Sequence, residues 1–320
     1  MSEVRVGILA GYPEDKKALD AAVQRSIWAE EQGFDHMSLG ERIIWRHPHL
    51  DAFITAGQIF AHTRRIKMGF VVLVPLRHPV ITSKLITSLD QLSGGRLLIF
   101  PGIGGDYPRE YENCGVSVRE RVGRTDEALE IMRRLWRGEK VSYEGKYYQL
   151  KDAVAQPLPV QPGGPPLWLA HRGRAEASIR RTVRLCDGWL ASWVSPERFK
   201  PIWQKTQEYA REEGRDPSAL TPAAIVRMVI ADSKEEGARR AARWRADMYG
   251  HAFEPTLMEH LIPVGTPEQC ARKLRSFVDA GATTLTISLA LPVEEWEEQL
   301  KVVVKEVLPR AGITLNKART

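Results

Sequence analysis

Residues 66–108 narrow the folds open to this chain more than any other stretch. Residues 66–74 are apolar except for Lys67 and Gly69. A turn over 75–80 with prolines at 75 and 79 follows, and 81–90 then carries apolar positions at helical spacing. After the break at Gly94 and Gly95, a second apolar run over 97–100 ends in the glycine-rich loop 101–108. The pattern reads strand, loop, helix, loop, strand, loop. A strand that is apolar on both faces has to be covered on both, as in a parallel sheet clad by helices. Ligands dock on the loops that leave the C-terminal ends of such strands.

The rest of the chain repeats this unit. A strand over 4–10, a helix over 14–32 ended by Gly33, and a strand over 34–39 open it. Gly33 fits the left-handed position that ends a helix. Later strands are expected at 167–170, 188–191, 224–231 and 283–287, with helices over 119–137, 196–213, 234–248, 266–280 and 293–308 between and after them. A further helix is expected to open at 171–174 and run to 185. Eight strands alternating with helices fit an α/β fold, a (β/α)8 TIM barrel, as one domain over 1–320. Two insertions interrupt it, 141–161 with a hairpin around Gly145, and an irregular 249–264. An open doubly wound sheet is the rival, but no GxGxxG follows the first strand.

Composition excludes several classes of function. The net charge of +6 is not gathered into any run of five or more like charges, and no zinc-finger or RNA-binding aromatic motif is present, so nucleic acid is not an expected partner. The basic balance also suits a phosphorylated cofactor. Three scattered cysteines without CxxC spacing argue against a disulfide framework and structural zinc. No HxxxH or carboxylate cluster suggests a metal. The first residues carry no secretory pattern and no apolar run is long enough to span a membrane, so a cytoplasmic location is expected.

Three loops hold candidate site residues. Gly102, Gly104 and Gly105 follow the fourth strand, where a backbone without Cβ lets a flat ring or a phosphate come close; a plain turn is the alternative. Ala170, His171, Arg172 and Gly173 lie between a strand and its helix, where backbone N–H groups bind anions. The loop after the second strand carries Glu41, Arg42, Trp45, His47 and His49. Glu41 becomes a general acid if burial raises its pKa, and Arg42 suits an anionic substrate or a carbonyl. A surface ion pair is the alternative for these two, and a solvated loop for the two histidines.

Three segments together, 75–80, 89–96 and 102–115, resemble the bacterial luciferase-like flavin and deazaflavin oxidoreductases. The similarity continues through 141–170, 188–189 and 264–282. It implies a hydride-transfer enzyme whose cofactor docks at the C-terminal mouth of the barrel. The ring is expected against Val71 and Val72, at a non-proline cis peptide, bordered by the glycine loop. The phosphate is expected at 170–173 and at Ser192 and Ser195, although Ala170 and His171 depart from the small residues usual there. Ser195 before Pro196 also reads as a helix cap. Glu41 and Arg42 stand where many deazaflavin-dependent relatives have Asp-His, with Trp45 close to a ring-facing position. Coenzyme F420 is the favoured cofactor, a homodimer the expected assembly, and 249–264 the expected lid. One alternative is an FMN-dependent monooxygenase supplied by a flavin reductase and using oxygen. Another is a catalytically silent flavin-binding barrel, since the Asp-His pair is missing.

Overall fold

A computed structural model describes residues 4–316; the expectation for the first three residues lies outside them. Eight parallel strands form the barrel in chain order: Arg5–Leu9, His36–Leu39, Lys67–Leu73, Leu97–Gly102, Trp168–His171, Gly188–Ser192, Thr221–Ile230 and Thr284–Leu289. The first strand pairs with the second and the eighth. A parallel bridge between Ile99 and Leu167 joins the fourth strand to the fifth and closes the ring. Val264–Gly265 adds a short strand alongside the end of the seventh.

Side chains alternate between lumen and outer core along each strand, the consequence of a two-residue period. The lumen is filled by pairing small residues with large ones. A Cβ on Gly7 would run into His36, one on Gly69 into Phe100, and one on Gly188 into Trp168. Phe100 stacks on Trp168 at 5.7 Å between centroids, in a layer with Leu98, Leu190 and Ala223. The barrel's lumen is therefore filled by side chains below its mouth.

The helices begin and end where local chemistry dictates. The first helix, Lys16–Gln32, is capped by Asp15, whose carboxylate accepts the Ala18 N–H at 2.8 Å, and it ends at Gly33 with φ of 87°. Helix Pro267–Asp279 opens on a capping box between Thr266 and Gln269. The expected hairpin is present as Val141–Glu144 against Gln149–Ala153. Glu127 holds its turn by accepting the N–H groups of Lys146, Tyr147 and Tyr148 at 2.8, 3.0 and 3.1 Å.

Four expectations need correction. The segment 249–264 is not wholly irregular, because Pro255–Leu261 is a helix. The seventh strand starts at Thr221, three residues early; Pro222 is tolerated there because it sits at the strand's entry and its carbonyl accepts the Thr283 N–H. The helix after the fifth strand starts at Glu176 rather than within 171–174, since Gly173 is held at φ of 65°. The last helix is not continuous: a π turn, Val303–Val307, interrupts it.

Candidate active site

The C-terminal ends of the strands surround a cavity of about 500 Å³. Alternation along the third strand turns Val71 toward it and Val72 into the outer core, where Val72 is fully buried. The Val71–Val72 peptide is trans; the one cis bond among the described residues precedes Pro157. The strand needs no cis bond to present Val71, because the regular register Val71 to Phe100 and Val72 to Pro101 already does so. Val71, Leu73, Phe100 and Ile103 form an apolar wall.

The glycine loop has a different basis from the expected one. Gly104 and Gly105 have φ of 62° and 103°, which side chains other than glycine rarely adopt. A Cβ on Gly104 would strike the Tyr111 hydroxyl, and one on Gly102 would come within 2.8 Å of Val71. Tyr111 donates to the Ile103 carbonyl and locks the loop from behind. Its own packing thus accounts for these glycines before any ligand does. Gly102 and Gly104 line the cavity, whereas Gly105 packs against Arg121 instead.

From the neighbouring fifth and sixth strands, Ala170, His171, Arg172 and Ser192 line the cavity, and Gly173 and Ser195 do not. Gly173 backs onto Ile202, and Ser195 is fully buried as the residue before helix Pro196–Glu212. The His171 tautomer follows from its neighbours. Its Nδ1 accepts the Gly173 N–H at 3.0 Å, so Nε2 carries the hydrogen and donates to Thr182 Oγ1 at 3.0 Å. The ring stacks on Trp189. Burial, helped by Arg181, pushes its pKa down to about 3. An imidazole neutral when folded and ordinary when unfolded, near pKa 6.5, favours the unfolded state once protons bind. Stability should be full above about pH 6.5 and decline as pH falls toward 3. Denaturant midpoints taken across that range should fall less steeply in His171→Gln than in the parent.

The loop after the second strand is braced on both sides. Glu41, only 4% exposed, forms an ion pair with Arg77 at 2.8 Å and accepts the Leu73 N–H. Burial pushes its pKa up, and Arg77 opposes that shift. Arg42 pairs with the fully buried Glu110 at 3.6 Å and lies 4.1 Å from the Trp45 ring centroid. Glu110 also accepts the N–H groups of Ile43 and Ile44, at 2.7 and 3.2 Å. Glu41, Arg42, Trp45 and His49 all line the cavity, whereas His47 lies outside it, with Nε2 on the Asp247 carbonyl at 2.9 Å. His49 meets the Tyr12 ring edge-on at 5.3 Å, and burial pushes its pKa down. Burial pushes the Tyr12 phenol up, and Tyr249 adds to the effect, so Tyr12 stays protonated.

Sequence reasoning missed Tyr12, Trp193, Arg227, Arg245 and Tyr249, all of which line the cavity. Arg227, from the seventh strand, reaches Ser192 Oγ at 3.4 Å. A second cavity, of about 480 Å³, lies at the other rim. There Lys67 Nζ bonds Asp35 at 3.0 Å, Asp35 also meets His36, and Arg65 reaches Glu30 at 3.9 Å. The C-terminal mouth has an apolar wall facing a cationic side, the arrangement that suits a flat ring with an anionic tail.

The luciferase-like monooxygenase family profile matches residues 4–254. The chain belongs to that family. It is 28% identical over 227 residues to a phthiodiolone/phenolphthiodiolone dimycocerosates ketoreductase of Mycobacterium tuberculosis, covering 68% of this chain and 57% of the relative. An uncharacterised protein of the same species is 31% identical over 170 residues, covering 52% of this chain and 57% of the relative. The chain thus spans a little over half the length of these curated relatives. Among solved structures, an F420-dependent secondary alcohol dehydrogenase in complex with an F420-acetone adduct superposes with a TM-score of 0.82 at 20% identity, covering 97% of this chain and 99% of the other. A type II Baeyer-Villiger monooxygenase from Pseudomonas putida in complex with FMN gives 0.77 at 21% identity, covering 99% and 100%. The luciferase-like chain shares its barrel with both. Among its described residues, no helix is long and apolar enough to cross a membrane.

Proposed function

We propose that this luciferase-like chain is a coenzyme F420-dependent oxidoreductase that transfers a hydride between the deazaflavin and a small organic substrate. The observation that carries the reading is the mouth cavity, which is lined by the apolar Val71, Phe100 and Ile103 and, from the next strands, by Ala170, Arg172 and Ser192. Val71 and its neighbours would support one face of the ring, while Arg172 and the backbone at 170–172 would hold the phosphate. Bound F420 would supply the hydride chemistry; the chain's part is to position, exclude water and manage the proton. Tyr12, held protonated, and His49 line the mouth and would pass a proton to a substrate oxygen. Glu41 is assigned a bracing role instead of general acid, since both its oxygens are engaged by Arg77 and Leu73. The preference for F420 rests on the likeness of 75–80 and 89–96 to the deazaflavin branch. A homodimer would cover Ile54, Ile81 and Leu92, which are 64, 58 and 77% exposed on two neighbouring helices.

Titration of the purified protein with F420 and with FMN tests the reading. Saturable deazaflavin binding without FMN binding is the expected result. FMN binding coupled to oxygen consumption in the presence of a flavin reductase would replace it with the monooxygenase. Binding of neither would remove the enzyme reading altogether.

A further inference from the structure

The mouth holds more positive charge than its own residues neutralise. Arg227 and Arg245 are 6% and 2% exposed, and neither forms an ion pair with a carboxylate among the described residues. Arg227 Nε and Arg245 Nε and Nη1 are buried without a hydrogen-bond partner. Their remaining polar contacts include no carboxylate: Ser192 Oγ for Arg227 and His251 Nε2, at 2.9 Å, for Arg245. The half-buried Arg77 and Arg42 beside the mouth, by contrast, meet carboxylates, Glu41 and Glu110. The other carboxylate on the cavity wall, Asp106, is exposed and pairs with neither. A buried guanidinium without an anion is costly to keep, and that cost falls when a ligand brings one.

Both guanidiniums lie over the Trp193 ring, at 4.0 and 4.5 Å from its centroid. Trp193 has φ of 56°, an uncommon conformation for so large a residue and one that surrounding structure has to enforce. Arg245 also lies 3.7 Å from the Phe253 centroid and 4.9 Å from that of Tyr249. Tyr249 in turn meets Trp45 edge-on at 6.2 Å. Arg227, on the seventh strand, lies across the ring from the third strand and Val71, and this aromatic chain links the two arginines to Trp45.

We infer that the substrate is a small organic anion, with a carboxylate, sulfonate or phosphate docked on Arg227 and its apolar body against Trp193 and Tyr249. Arg245, sealed beneath Trp193, Tyr249 and Phe253, adds the second charge without needing to touch the ligand. The inference rests on the proposed division of the mouth, in which Arg172 and the 170–172 backbone take the cofactor phosphate and leave Arg227 for the substrate. It deepens that reading by naming the substrate class.

The probes are hexanesulfonate and hexanoate, with 1-hexanol as the uncharged match, titrated into cofactor-loaded protein by calorimetry and by tryptophan emission. The anions should bind about tenfold or more tightly than the alcohol, the scale of one charge-assisted hydrogen bond. In Arg227→Gln that gap should close while cofactor affinity holds, and Arg227→Lys should keep part of it. Equal binding of hexanol and the anions by the parent overturns the inference, and this comparison needs no variant to fold. Competition between the anions and the cofactor, or loss of the cofactor in Arg227→Gln, overturns it differently, by giving the arginines to the cofactor's phosphate. If neither F420 nor FMN binds, the proposed function fails, and the anion-to-alcohol comparison on unloaded protein still decides the inference.

Discussion

Arg77→Ala should destabilise the protein by about 3–5 kcal/mol, the usual cost of leaving one member of a buried ion pair alone. Glu41 is 4% exposed, so water does not replace the lost guanidinium, and only the Leu73 N–H remains to it. The loss should depend on pH. Burial already raises the Glu41 pKa, and removing Arg77 takes away the largest opposing influence. A carboxyl whose folded pKa lies above its unfolded value is best tolerated when protonated. Its penalty is therefore absent below the ordinary carboxylate value of 4.5 and grows as pH rises through the folded pKa. The variant should thus lose less against the parent at pH 5 than at pH 8, as read from denaturant midpoints. Glu41→Gln combined with Arg77→Ala should recover most of the loss at pH 8. A pH-independent deficit in the single variant would mean that Arg77 acts through Asp51, 3.3 Å away, or through packing on Phe53, 5.2 Å from its guanidinium, and not through Glu41.

What was legible in the sequence was whatever depends on near neighbours. Gly33 at the end of the first helix, Thr266 before helix Pro267–Asp279, and the hairpin at Gly145 each follow from a few adjacent residues, whereas the Asp15 cap was not legible and the expected helix begins one residue ahead of it. The barrel followed from eight repeats of one local pattern. The two-residue period should have separated Val71 from Val72, because successive residues on a strand cannot both face the lumen. Arg227 was also visible in principle: a lone arginine inside the apolar run 224–230 signals a buried charge that needs a partner. Glu110 was not visible. Its contacts with Ile43 and Ile44 span 67 and 66 residues, and nothing local to either segment announces the other. The packing of the glycine loop was not legible for a related reason, since the groups that demand glycine there, Tyr111 and Val71, are brought in by the fold.

The departure from Asp-His at Glu41 and Arg42 takes on a physical meaning in this light. Glu41 is fastened to the end of the third strand through Leu73 and Arg77, and Arg42 to the segment after the fourth through Glu110. Two adjacent residues thereby hold one loop to both of the next two. Such a pair serves position more directly than proton transfer, and it leaves Tyr12 and His49 as the mouth's protic groups on that side.

If the loop is held this way, Glu110→Ala should damage stability and ligand binding together. The Ile43 and Ile44 N–H groups lose their acceptor and Arg42 its carboxylate, a combined cost of about 2–4 kcal/mol. Arg42 would no longer be fixed over Trp45, so both should sample positions away from the cavity. Cofactor or substrate affinity should fall about tenfold or more, as a loss of preorganisation implies. Glu110→Gln separates the two contributions, because its amide oxygen still accepts the two N–H groups while the charge facing Arg42 is gone. It should regain most of the stability and keep a smaller binding defect. If Glu110→Gln is as unstable as Glu110→Ala, the ion pair with Arg42 is the main brace; if it binds like the parent, the two backbone hydrogen bonds are.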